Sequence, residues 1–499
     1  MSEHLEIDPE KLRFFERLAD EGLALTFDDV RAQTRSGRDV EPFEPDLRSK
    51  FSRNVDLIVP FVSAAMDTVT DSRMAIAMAQ MGGIGVIHAA MDPEAQKREV
   101  RAVKMKLNGL IENPITVRLN QPMSDVIKEH GERGFHTFPV IDNNGKCVGV
   151  LTKRAFDFFD RTGTVRECMS VRENSGLITV ESGTTIKQAY EMMNDQRLRM
   201  LPVLDNEGRV EGLYLWSDVK RIVRGNNTGY NVDEHGRLRV AAAVPTDSSA
   251  IDRVQEMHKY IDVVVIDSAD GDSYYSFQTL RELKRKFPDL DVVVGNISNP
   301  DSARELAEEG ADGIKVGQGP GSICSTRPEI GIGRPQVSAV YEIWRQVRDF
   351  GIPICADGGI REHGDVPIAI AVGASSVMMG NMLAGTDEAP GEIINLPNGA
   401  RVKTYRGMGS ASAMRESSSA RNRYGGDNFN MPLPEGVEGY VPLKGPVADI
   451  LDACRRALRK QMLYCKTKTI PDHQARALLD RITGAGLAES HPHSITRKN

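Results

Sequence analysis

Short apolar runs that end in Asp, Gly, Asn or Ser recur along the chain. They are LIVPFVSAAMD (57–67), GGIGVIH (82–88), RVAAAV (239–244), DVVVIDS (262–268), DVVVGN (291–296), DGIKVGQG (312–319), PICADGG (353–359) and SSVMMGN (375–381). Between several of them lie stretches with helical spacing: VQEMHKY, FQTLRELKRKF, SARELAEEG and SAVYEIWRQVRDF. Strand–helix alternation predicts parallel strands, and eight of them predict a (β/α)8 TIM barrel. A doubly wound open sheet is the alternative with the same local pattern. In a barrel, Asp267, Asn296, the glycines from Gly317, Asp357-Gly358-Gly359 and Gly380 would converge on one mouth, because active sites form at the C-terminal ends of the strands.

A second rhythm interrupts the first. FPVIDNNGKCVGVL (138–151) matches LPVLDNEGRVEGLY (201–214), with Pro, Val, Asp, Asn and two Gly in register. Each copy reads as strand, Asn/Asp-Gly turn, strand. A helix-like stretch precedes each one, SDVIKEHGERG and IKQAYEMMNDQR. Two copies of one small α+β unit predict a pseudo-symmetric pair inserted between the second and third barrel units. The expected layout is a first barrel part with an N-terminal arm at 1–107, an inserted pair at 108–226 (units about 110–165 and 166–226), and the rest of the barrel at 227–499. The Gly-, Ser- and Pro-rich segment 386–440 shows no convincing element.

The 499 residues suit two or three domains, and 40% hydrophobic with 27% charged residues suits a globular chain. No run of 18 or more apolar residues predicts a membrane helix, and the charged N-terminus lacks a signal-peptide pattern. The net charge of −7, without a basic block, argues against non-specific nucleic-acid binding. Cys147, Cys168, Cys324, Cys355, Cys454 and Cys465 form no CxxC or zinc spacing. They read as reduced thiols of a cytoplasmic protein, most of them small buried hydrophobes.

Candidate chemistry gathers in the late loops. GQGPGS, ADGGI and MMGN follow the predicted strands six to eight, and glycine turns there suit a phosphate as well as a simple change of direction. Asp357 could accept two ribose hydroxyls or cap a helix. Cys324, in the polar loop GPGSICSTR (319–327), is either a nucleophile or an incidental loop cysteine.

GPGSICSTR resembles the catalytic loop of the IMP dehydrogenase / GMP reductase family. The resemblance extends through TFDDV (26–30), VSAAMDTVT (62–70), GGIGVIH, ADGGI, YRGMGS (405–410), PEGVEG (434–439), VPLKGP (441–446) and ITGAGLAESHPH (482–493). The repeat is similar to the CBS pair that these enzymes insert in their barrel. The resemblance implies NAD-dependent oxidation of inosine monophosphate (IMP) to xanthosine monophosphate (XMP). Cys324 would add to purine C2, hydride would leave to NAD, and water would hydrolyse the covalent thioimidate. Arg423 and Tyr424 of RNRYGG, on a mobile flap, would activate that water and Thr326 would position it. Ser322, Gly359, Gly380, Asn381 and Tyr405 would hold the phosphate, Asp357 the ribose, and Met408, Gly409 and Glu435 the hypoxanthine. Asp267, Asn296 and Gly317 would lie at the NAD side. A potassium ion would sit on carbonyls of Gly319, Gly321 and Cys324, completed by Glu489, Ser490 and His491 of a neighbour in a homotetramer.

The sequence departs from that pattern in four places. RAQTRSGRDVEPFEP (31–45) is long and charged, Asn381 stands where a serine is common, and Gln318 is unusual in its glycine turn. Each repeat holds half of a nucleotide motif, Thr152 without an Asp at Ala155, and Asp218 without a hydroxyl at Leu215, so adenine- or guanine-nucleotide binding and a purely structural role both stay open. GMP reductase, which uses NADPH and needs no hydrolytic water, is the nearest alternative activity. An inactive nucleotide-sensing regulator is a more remote one.

Overall fold

The computed structural model describes residues 5–38, 40–107, 109–112, 114–130, 137–152, 163–169, 177–224, 229–424, 432–492 and 494–495. Ala155, Gly425 and Gly426 of RNRYGG, and His493 of ESHPH lie outside them. Two compact units divide the chain: Met1–Lys104 with Gly229–Asn499, and Met105–Thr228.

The first unit is a closed parallel barrel. Its strands are β1 (Phe61–Ser63), β2 (Ile84–Ile87), β3 (Ala241–Val244), β4 (Val263–Asp267), β5 (Asp291–Ile297), β6 (Gly313–Val316), β7 (Ile354–Asp357) and β8 (Ser376–Met379). Each predicted run coincides with one of them, β5 extending one residue further, to Ile297. β8 pairs with β1 and β2 with β3, which closes the cylinder and excludes the open sheet. Strands of a filled barrel are covered on both faces, so Val263–Ile266 and Val292–Val294 are buried without alternation. Helices Ser249–Met257, Tyr274–Lys286, Pro300–Glu308 and Gln336–Val347 return the chain between strands. Their starts are legible: the Ser273 hydroxyl accepts from the Ser276 amide, and Asn299 caps a helix with proline in its first turn. No described helix is long and apolar enough to cross a membrane.

At the N-terminal end of the strands, the hairpin Ser49–Ser52/Val55–Leu57 inserts the fully buried Phe51 and Leu57. Asp291 ties it down, accepting from Ser52 Oγ at 2.6 Å and Asn54 Nδ2 at 2.8 Å. The start of the charged segment, residues 31–35, runs beside the C-terminal region. Val30–Ala32 pairs antiparallel with Leu479–Arg481, and the Gln33 and Arg35 amides donate to the Leu478 and Tyr464 carbonyls.

Segment 386–440 corrects the expectation of a featureless loop. Strands Ile394–Asn395, Arg401–Arg406 and Glu438–Pro442 form an antiparallel sheet, and helices Ala411–Glu416 and Ser418–Arg423 lie between the last two. The helices have six residues each and are started by Ser410 and Ser417 side chains. Elements that short, with Ser and Arg rather than an apolar stripe, leave no periodic signal. Residues 425–431 of this segment are outside the described set.

The second unit repeats a hairpin with its parallel neighbour, and the Val210–Leu215 strand also pairs antiparallel with Leu110–Glu112. Hairpin Phe138–Ile141/Cys147–Leu151 shifts register between Val140 and Ile141, and Met200–Leu204/Val210–Leu215 shifts between Val203 and Leu204, the matching residues. Each hairpin takes a parallel strand at the same place, Val117 opposite Val140 and Val180 opposite Val203. Lys146 forms an antiparallel bridge with Arg209, its own counterpart in the other copy. A residue pairing with its equivalent is the mark of a local pseudo-twofold axis.

Candidate active site

The loops after the strands line an open cleft. Of the residues expected at the site, Ser322, Cys324, Asp357, Tyr405, Arg423, Tyr424 and Glu435 line it, together with Asp267, Asn296, Asn381 and Met408. So do Gly317, Gly319, Gly321, Gly359, Gly380 and Gly409. Thr326 is not in the lining but touches the cysteine. Glu489, Ser490 and His491 of this chain do not line the cleft, and His491 Nε2 lies 3.9 Å from Glu362.

The floor is organised by a residue that sequence reasoning missed. Lys315, in the middle of β6, is 1% exposed. Its Nζ lies 3.0 Å from Asp267 Oδ1 and 2.8 Å from Asp357 Oδ2, and it donates to Asn296 Oδ1. Asn296 Nδ2 donates to the Gly317 carbonyl at 2.6 Å and to Asp357 Oδ2 at 3.0 Å. One buried cation thus aligns side chains from the ends of β4, β5 and β7. The available signal was a lysine inside the apolar run DGIKV: a buried charge requires partners.

On one wall, Cys324 Sγ is 3.1 Å from Thr326 Oγ1, and that hydroxyl donates to Glu435 Oε2 at 2.7 Å. Backbone bonds fasten the two segments: the Ser325 amide donates to the Glu435 carbonyl at 2.9 Å and the Val437 amide to the Ile323 carbonyl at 3.0 Å. Arg423, at the end of the helix Ser418–Arg423, pairs with Asp267 Oδ2. Its guanidinium carbon stands 5.9 Å from the Tyr424 ring centre. Burial raises the Tyr424 phenol above its ordinary value, Cys324 and Glu435 push the same way, and Arg423 opposes them.

The opposite wall is backbone and hydroxyl. Tyr405, 4% exposed, hydrogen-bonds Ser322, and burial pushes its phenol up to about 12, so it stays a neutral donor. Gly380 leaves room for it: a Cβ there would stand 3.0 Å from the Tyr405 hydroxyl. At Gly317 a Cβ would meet the Asp357 carbonyl at 2.0 Å, which only glycine avoids. Asn381 offers its backbone carbonyl to Lys444 Nζ. The Asp357 hydrogen bonds to Lys315 and Asn296 both use Oδ2.

The other five cysteines have environments unlike that of Cys324. Burial raises the Cys168 thiol, pushes Cys147 and Cys465 up to about 11, and Cys355 and Cys454 up to about 12, which keeps them protonated and inert. No described group of His, Cys, Asp and Glu could hold a metal ion.

A parallel barrel whose cysteine, hydroxyls and charges gather at the C-terminal ends of its strands and on the loops after them has the layout of a barrel enzyme. The chain belongs to the IMP dehydrogenase / GMP reductase family, whose domain model matches residues 24–493. It is 42% identical to an inosine-5′-monophosphate dehydrogenase of Aquifex aeolicus over 475 residues, covering 94% of this chain and 95% of that one. It is 39% identical to the enzyme of that name from Halalkalibacterium halodurans over 472 residues, 94% and 96% of the two chains. Among solved structures it resembles a cysteine-to-alanine variant of GMP reductase from Trypanosoma brucei in complex with guanosine 5′-monophosphate. That likeness has a TM-score of 0.84 at 35% identity and covers 95% of this chain and 98% of that one.

Proposed function

We propose that the protein is an NAD-dependent oxidoreductase that converts IMP to XMP. The observation that carries this reading is the convergence of Cys324, the Thr326–Glu435 hydrogen bond and the Arg423–Tyr424 pair on one cleft. The Cys324 thiolate adds to purine C2, the hydride on C2 passes to NAD, and a thioimidate remains. Water then attacks C2, the thiolate leaves, and one proton is released. Splitting the oxidation in two is the usual gain of covalent catalysis.

Asp267 explains why the two halves alternate. Its carboxylate is the place assigned to the nicotinamide side, and Arg423 occupies it here. Redox chemistry requires that pair to open, and hydrolysis requires it to close. With Arg423 docked, Thr326 stands at the cysteine to position water, and the Arg423–Tyr424 pair is there to activate it. Glu435 accepts from Thr326 through Oε2 and orients its hydroxyl, and the same side chain lines the cleft where it would meet the hypoxanthine. On the other wall Ser322, Tyr405, Asn381 and the amides near Gly359 and Gly380 receive the phosphate. Asp357, held by Lys315 and Asn296 through Oδ2, offers Oδ1 to the ribose. Met408 and Gly409 flank the base.

The turn Gly319–Cys324 supplies uncharged carbonyls, a donor set that suits a monovalent cation such as potassium better than a divalent one. Bound there, the ion would stiffen the cysteine turn. Its remaining ligands, Glu489, Ser490 and His491, would come from a second copy, which fits the homotetramer that the family resemblance implies. The inserted unit is read as a CBS pair, for which the bridge between Lys146 and Arg209 is the support. Its nucleotide ligand is tested by equilibrium binding of ATP and GTP, with no binding of either counting against a sensor. The free cysteines and the lack of a spanning helix among the described residues support a cytoplasmic setting.

The second reading is GMP reductase, favoured by the T. brucei structure, which matches this chain over nearly its whole length. Chain length therefore does not separate the two activities; the hydrolytic pair does. NADH absorbance with IMP and NAD in potassium buffer, against NADPH loss with GMP, decides between them. Activity in the second mixture alone overturns the dehydrogenase reading. Cys324→Ala is expected to lower NADH formation at least about a thousandfold. Arg423→Ala should preserve a burst of one NADH per site while slowing later turnover about a hundredfold.

A further inference from the structure

We propose that Gln318 is a positioning residue that links the cysteine turn to the docking of Arg423. Its amide bridges the loops after β4, β5 and β6. Oε1 accepts from Ser298 Oγ, while Nε2 donates to the Ala269 carbonyl at 3.2 Å and lies 3.5 Å from Asp270 Oδ1. On its other side, Ala269 donates its own amide to the Arg423 carbonyl at 3.3 Å. Ala269 is therefore held between the flap and Gln318, and Gln318 continues directly into Gly319–Cys324.

The turn is also braced from behind. Arg327 Nη2 donates to the Gln318 carbonyl at 3.3 Å, so the ends of the cysteine turn are cross-linked. A shift of loop 268–270 must then move the Arg423 docking point and the base of the cysteine turn together. The chemistry calls for an amide. An acceptor faces the Ser298 hydroxyl, and a donor faces the Ala269 carbonyl and the Asp270 carboxylate. Glutamate would satisfy Ser298 but repel Asp270, and leucine would satisfy neither side. Gln318 is only half-buried and Asp270 is exposed, so these substitutions disturb loop geometry rather than the core.

Two readouts test this on the full-length protein. The first needs no substrate: tryptic cleavage after Arg421 and Arg423. Loss of one neutral hydrogen bond predicts cleavage about fivefold faster in Gln318→Glu, and Gln318→Leu should move in the same direction. Adding Asp270→Asn to Gln318→Glu should return the rate toward wild type, because it removes the repulsion. The second readout rests on the dehydrogenase reading: the NADH burst should stay within about twofold while steady-state turnover falls about fivefold. Unchanged cleavage in both variants, or burst and turnover falling together, overturns the role. Faster cleavage without any NADH from IMP and NAD would support the link and count against the dehydrogenase reading instead.

Discussion

The two ends of the barrel each bury a lysine, and the two are neutralised in opposite ways. At the mouth, Lys315 is surrounded by Asp267, Asp357 and Asn296. At the other end, Lys11 is 2% exposed and forms no ion pair among the described residues. Its Nζ donates to the carbonyls of Ala371, at the end of the helix before β8, and of Gln474, and it lies 5.4 Å from the centre of the Trp344 ring. Two acceptors match the two N–H groups of a neutral amine. Burial, aided by Arg348, pushes Lys11 down to about 7, against a small opposing pull from Asp8 and Cys465. The mouth stores charge for chemistry, whereas the opposite end uses the same side chain as a hydrogen-bonding cap.

Removing Lys315 should produce the largest effect. Lys315→Met leaves Asp357 with only Asn296 and Asp267 with only Arg423, and breaking a buried ion pair costs about 3–5 kcal/mol. The ends of β4, β5 and β7 would also lose their common anchor, and misplacement of that kind lowers turnover about a hundredfold. Urea unfolding and NADH formation measure the two effects. A stability loss with normal turnover would reduce Lys315 to a structural residue.

A third buried lysine sharpens the comparison. Lys104, 1% exposed, bonds Asp233 at 2.9 Å and Asp262 at 2.8 Å, away from the cleft. Arg237 stays 3.0 Å from Asp233, and Asp262 also accepts the Val240 amide. Lys104→Met should therefore cost a similar amount, about 3–5 kcal/mol by urea unfolding, but leave turnover within about twofold of wild type. A matching loss of turnover would mean that any buried ion pair in this barrel affects the site, and the mouth would lose its special status.

The legible parts of this protein were those with repetition. Eight parallel strands, each buried on both faces, write continuous apolar runs, and the duplicated hairpin writes itself twice, down to the register shift. Cys324 stood out because its loop is polar. Asp267, Asn296 and Asp357 were legible as strand ends, but their mutual geometry was not, because Lys315 looks like one polar residue in an apolar run. Arg423 finds Asp267 across a long sequence separation, and no local pattern encodes that. The flap helices were invisible because six residues cannot display a 3.6-residue period.

Lys11 gives the smallest effect and the cleanest sign. In the unfolded chain a lysine titrates near 10.4, and in the folded chain Lys11 titrates at about 7. Between these values the unfolded chain holds the extra proton, so stability rises as pH rises through that window. From pH 7 to 9 this one group contributes about 2 kcal/mol. Buried thiols titrate above pH 8 and act in the opposite direction, since their raised values make the unfolded chain lose protons first. The quantity to measure is therefore the difference between wild type and Lys11→Met, in which the thiols cancel. Urea unfolding at both pH values should show wild type gaining about 2 kcal/mol relative to the variant. Parallel pH dependences would mean that Lys11 stays protonated on folding, and the two ends of the barrel would then bury the same charge.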